Sequence, residues 1–128
     1  SWLRHQADEE IVHANKFIDH VADRDSFPTI GAIPAPPVQA GLSALEIFRA
    51  ALAHEQKVSE EIRTIARAAL DAQDLESRQL VDWFLSEQVE EEATVSEILD
   101  QIKLVGNDGS GLLRIDERLA GRTEGGAA

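Results

Sequence analysis

The sequence predicts an all-α fold, a helical bundle built from three long amphipathic helices, a long crossover and a short final helix. Three observations carry the prediction. Apolar residues recur at steps of three and four along three separate stretches, the spacing that keeps one helix face inward. No segment alternates apolar and polar residues with the period of a half-buried strand. All four prolines fall within residues 25–41, leaving the periodic stretches free of helix breakers.

The first helix is expected from about Trp2 to Ala22, on the face Leu3, Ala7, Glu10, Ala14, Phe17 and Val21. Asp23-Arg24-Asp25-Ser26 ends it, and Phe27-Pro28 forbids its continuation. The connection from Asp25 to Gly41, with Ile-Pro-Ala-Pro-Pro at 33–37, is long for a compact domain. In extended form, at ~3.1 Å per residue, it is long enough to run beside a helix and let the next one lie parallel to the first.

The second helix begins at Ser43, with Glu46 completing a capping box, and runs to about Leu70 on the face Leu45, Phe48, Leu52, Glu55, Ser59, Ile62, Ala66 and Ala69. Asp71-Ala72-Gln73-Asp74 is a turn short enough to make the third helix its antiparallel neighbour. That helix, from about Leu75 to Val105, has the face Val81, Phe84, Gln88, Glu91, Val95, Ile98, Ile102 and Val105. Gly106-Asn107-Asp108-Gly109 ends it, and an amphipathic stretch from Ser110 to about Ala120 follows. One helical domain over 1–120 and a disordered tail over 121–128 are expected.

Composition narrows the partners. Twenty-four acidic residues against 12 Lys plus Arg leave a net charge of −12, which repels nucleic acid and anionic membranes and attracts cations. With no cysteine, any metal must be held by oxygen and imidazole, and the chain suits a reducing cytoplasm. No apolar run is long enough to span a bilayer.

Each of the three apolar faces is interrupted near its centre by a glutamate: Glu10, Glu55 and Glu91. An unpaired carboxylate in a core costs several kcal/mol or stays protonated, so three need a common explanation, and a shared metal supplies one. Glu10 and His13, three residues apart, project from one helix face. Carboxylate-bridged metal pairs in bundles use Glu-x-x-His with single glutamates from facing helices. On that pattern Glu10 bridges two metals, His13 ligates one, Glu55 ligates the other and Glu91 is the third helix's ligand. Gln88, one turn before Glu91, is placed to hydrogen-bond a ligand or a bound water.

Each feature has a plainer reading. Glu-x-x-His is common by chance, Glu55 could form a surface ion pair with Lys57 or Arg49, and Glu90-Glu91-Glu92 could be a solvated acidic face. Only their coincidence at mid-stripe favours the metal. His5, His20 and His54 lack such placement and read as surface or loosely structural.

The residues His5-x-x-Asp8-Glu9-Glu10-x-x-His13, Leu52-x-x-Glu55-Gln56, Trp83-x-x-Ser86-Glu87-Gln88-x-Glu90-Glu91 and Gly109-x-Gly111-Leu112 resemble the prokaryotic, haem-free ferritins. The resemblance covers nearly all of residues 1–120. It implies a ferritin-like four-helix bundle with a long crossover and a short fifth helix, from which the family's first helix is absent. It implies iron storage and detoxification by a ferroxidase, which oxidises Fe(II) with oxygen at a di-iron site and stores ferric mineral in a homo-oligomeric, 24-subunit cage. Glu10, His13, Glu55 and Glu91 would be catalytic metal ligands, Glu9, Glu87 and Glu90 would form a third iron site, and Gln88 would be the nearby polar residue.

Bacterioferritins differ in a second Glu-x-x-His and a methionine haem ligand. This chain has Gln88-Val89-Glu90-Glu91 and no methionine, so no haem is expected. The family's first helix brings a further iron-binding glutamate and a tyrosine; the chain has no tyrosine, and about 40 residues are expected to precede Ser1 in the native polypeptide. The alternative is a structural cage or scaffold subunit with impaired ferroxidase activity. A di-iron oxygenase acting on an organic substrate ranks third.

Overall fold

The computed structural model describes residues 1–37 and 39–125. They form four helices: α1 (Trp2–Asp23), α2 (Ala44–Asp71), α3 (Arg78–Val105) and α4 (Gly109–Gly125). No strand occurs among the described residues. The expected boundary at Ala120 falls inside α4, which continues to Gly125, and residues 126–128 of the expected tail lie outside the described residues.

Local chemistry sets the helix ends. The Ser43 hydroxyl accepts from the Glu46 N–H, and the Glu46 carboxylate accepts from the Ser43 N–H, each at 3.2 Å. At the other end of α2, Gln73 takes a left-handed φ of 53° to turn the chain sharply. Asp74 then accepts from the Ser77 hydroxyl at 2.5 Å and from the Arg24 guanidinium at 2.7 Å, tying the end of α1 to the α2–α3 turn. These two bonds hold the Asp74 carboxyl down at about 2.

The helix directions follow from which ends meet. Trp2 and Phe48 have ring centroids 5.4 Å apart, near the starts of α1 and α2, while Arg24 and Asp74 meet near their ends. α1 and α2 therefore run parallel, and the connection between them is the expected crossover. α3 returns antiparallel to α2 and touches both. Among the described residues no Cα of α1 lies within 8 Å of a Cα of α2, so α3 sits between two helices that leave an open side.

The core lies toward the α4 pole, where Trp2 and Phe48 pack with Val95, Ile98, Ile102 and Ile115. The inward faces predicted for α2 and α3 hold. Phe48, Glu55, Ser59 and Ile62 are buried on α2, as are Val81, Phe84, Gln88, Glu91, Val95, Ile98 and Ile102 on α3. The face predicted for α1 holds only in its last turns, where Phe17 and Val21 are half-buried and Phe17 packs on Phe84. Trp2 and His13 are buried, while Leu3, Ala7, Glu10 and Ala14 are exposed. α1 packs on α3 and α4 through a neighbouring stripe, and α2 does not come close enough to cover the predicted one.

Candidate metal centre

The middle of α1, α2 and α3 carries polar groups where the stripes would otherwise be apolar. His13 is 8% exposed and fits edge-on against Trp83 and Phe84, with centroids at 5.4 and 5.6 Å. Phe17 stacks on Phe84 one turn further along α1, with centroids 4.3 Å apart. These rings fix the plane of the imidazole. Its Nδ1 lies 3.4 Å from the Glu10 carboxylate on the same helix, and its Nε2 lies 3.8 Å from Glu87 across the interface. Lys16 places its ammonium over the Trp83 ring, 3.3 Å from the centroid, a cation–π contact that helps hold the indole.

Glu55 of α2 and Glu91 of α3 are both buried. Burial pushes the Glu55 carboxyl above its ordinary value, an effect opposed by a hydrogen bond from Gln88 and reinforced by the charge of Glu10. Glu91 is pushed up to about 8, first by burial, then by the charge of Glu55, a hydrogen bond with Glu87 and the charges of Glu87 and Glu9. Every charged group acting on Glu91 in this way is another carboxylate. Ionised, such a group needs a cation; without one it keeps its proton.

Gln88 links the two helices. Its Nε2 shares two protons among three acceptors, the Glu55 carboxylate, the Glu55 main-chain oxygen and the Ser59 hydroxyl, each at 3.1 Å. Ser59 in turn donates to the Glu92 carboxylate at 2.8 Å. No buried side-chain nitrogen or oxygen among the described residues lacks a hydrogen-bond partner.

The structure thus brings Glu10, His13, Glu55, Glu87 and Glu91 into one electrostatic neighbourhood, with Glu9 near enough for its charge to act on Glu91. Glu10 stands at the edge, its side chain 48% exposed rather than inside the stripe. Glu90 is exposed, and its side chain joins none of the hydrogen bonds or ion pairs among the described residues. Among the described residues, no three His, Asp or Glu side chains converge tightly enough, as they stand, to hold an ion.

Two residues read as peripheral are engaged. His5 lies 3.0 Å from Glu9, a partner at the i+4 spacing visible in sequence, and His20 hydrogen-bonds Ser77 at 2.9 Å. Ser59 and Glu92 were not read as part of the site. Ser59's place four residues after Glu55 on the same face was the available signal, while Glu92 was hidden in an acidic run.

The comparisons agree with this architecture. The model of the ferritin-like domain matches residues 1–105. The bacterial non-heme ferritin of Escherichia coli O6:H1 is 33% identical over 120 residues, covering 94% of this chain and 72% of the relative. That of Staphylococcus saprophyticus is 36% identical over 118 residues, covering 92% and 70%. The open pore ferritin from the hyperthermophilic archaeon Archaeoglobus fulgidus superimposes with a TM-score of 0.87 at 33% identity, over 92% of this chain and 72% of that one. With the family model matched over 105 residues and a relative 33% identical over 94% of this chain and 72% of its own length, the chain belongs to the ferritin family.

Proposed function

We propose that this chain is a subunit of an iron-storing homo-oligomeric cage of 24 copies, and that it oxidises Fe(II) at a centre formed by Glu10, His13, Glu55 and Glu91. Iron and oxygen are the substrates; each ferrous ion gives up one electron to dioxygen, and no haem takes part. Glu9, Glu87 and Glu90 form an adjoining acidic site, and Gln88 orients Glu55. The observation that carries the reading is the buried pair Glu55 and Glu91, whose carboxyls are both raised in a neighbourhood of carboxylates. Cations entering there displace protons from groups already desolvated, so binding needs little further loss of hydration. Carboxylates also favour the harder ferric state, which assists the oxidation. His13, held by Trp83 and Phe84, supplies the single nitrogen donor without swinging away.

Anaerobic loading with two ferrous ions per subunit, followed by rapid mixing with oxygen, tests this. A fast absorbance phase that saturates near two irons and is lost in Glu10→Ala and Glu91→Gln is expected. Equal, slow oxidation in all three proteins rejects the catalytic assignment.

A second reading, a cage subunit with impaired oxidation, is favoured by the half-exposed Glu10 and by the lack of a tight three-ligand cluster among the described residues. It predicts the slow outcome.

A further inference from the structure

The hydrogen bonds between α2 and α3 have a direction. Ser59 is 3% exposed, and its single hydroxyl proton goes to the Glu92 carboxylate at 2.8 Å. A carboxylate accepts and has nothing to give back, so the hydroxyl can turn only a lone pair toward Gln88. Gln88, 4% exposed, must then present its amino group to Ser59, not its carbonyl. The same amino group reaches the Glu55 carboxylate and the Glu55 main-chain oxygen. With Glu92 removed, the Ser59 proton is free to point at Gln88. The Gln88 amino group then loses one of its three acceptors, and the hydroxyl proton presses against it, so the carboxamide is held less firmly on Glu55.

We propose that Ser59 and Glu92 are positioning residues: through the chain Glu92, Ser59, Gln88 they lock the Gln88 amino group onto one oxygen of Glu55 and leave the other oxygen free for a cation. This rests on the reading of Glu55 as a metal ligand. Neither Ser59 nor Glu92 touches the cation; both act through Gln88. Outer partners of this kind usually change metal affinity by about 10–100-fold when removed.

The test is anaerobic titration of the assembled protein with Co(II), a redox-inert probe whose visible absorption reports coordination geometry. Circular dichroism of each variant checks that it is folded. Ser59→Ala and Glu92→Ala are expected to weaken the tightest Co(II) binding about 10-fold or more and to alter the band shape. Ser59→Thr, which keeps the hydroxyl, restores both. The double variant is expected to be no worse than the poorer single one, because both cut the same chain. Ser59→Ala guards against a Glu92 effect that is only a lost surface charge, and Glu92→Ala guards against failure of the more buried variant to fold. Wild-type affinity and band shape in folded Ser59→Ala and Glu92→Ala overturn the proposal while leaving the metal centre standing, provided Glu55→Ala still loses Co(II). Equal binding in wild type and Glu55→Ala overturns the underlying reading and the proposal together.

Discussion

Glu91 shows how one residue's surroundings set its chemistry. Its folded-state carboxyl is raised to about 8 from an ordinary 4.5, so between those values the folded chain holds a proton that the unfolded chain has lost. Stability then declines as pH rises through that window and is fully present below it. Glu55 is raised as well and acts in the same direction. For metal-free protein under chelator, the melting temperature due to these groups is expected to fall as pH goes from about 5 to about 8. Glu91→Gln, which keeps the shape without the charge, should flatten most of that slope in differential scanning calorimetry. An unchanged slope would place the proton elsewhere. Glu91 and Gln88 were legible in the sequence because they interrupt a long apolar stripe. Glu10 was legible as a partner of His13 but not as an exposed group, since a helix periodicity gives a stripe and not the neighbour that covers it.

At the scale of elements, α4 depends on one close approach. A Cβ at Gly111 would lie 2.8 Å from both Cβ and Cγ1 of Val105, in the last turn of α3, and the Val105 Cβ cannot swing aside. Gly111→Ala is expected to destabilise by about 1–3 kcal/mol, the usual cost of forcing an added methyl into a packed contact. Gly121 lies in the same helix with open space where its Cβ would be. There the same change should be neutral or stabilise by up to about 1 kcal/mol, since alanine restricts the unfolded chain. Urea unfolding of the two variants side by side separates the contact from simple helix propensity. The expected Gly109-x-Gly111 pattern was visible in the sequence, but the reason for the second glycine is a contact between two helices.

The whole molecule exposes more than its size requires. A compact monomer of 14.0 kDa has an accessible surface of about 6,700 Å² by the usual mass scaling, whereas this chain exposes 9368 Å². The excess is about 2,700 Å² of polar and apolar surface together. Part of it lies in the extended connection, where Phe27, Ile30 and Ile33 are exposed. Another part is a groove of about 720 Å³ at the α2–α3 turn, lined by Ala66, Ala69, Leu70, Leu75 and Val81 beside the polar Gln73, Asp74, Arg78 and Asp82. Contiguous exposed apolar side chains of this kind drive association. Sedimentation velocity on the purified chain is expected to give a mass well above 14.0 kDa, with little monomer at micromolar concentration. A stable monomer would contradict the cage.

The sequence alone was enough for the number and order of the helices, the crossover between α1 and α2, and the inward faces of α2 and α3. It was enough for the limits of α1 and α2 to within about two residues, while α3 starts three residues later and α4 ends five residues later than expected. Periodicity, caps and prolines act within a few residues, and so are readable without the fold. Tertiary structure decided what those signals cannot carry. It selected which stripe of α1 meets α3, set His13 between Trp83 and Phe84, and joined Gln88 to Glu55, Ser59 and Glu92 across two helices. These contacts depend on rotation and register between helices far apart in the chain, and the energy that chooses them exists only once the helices are packed.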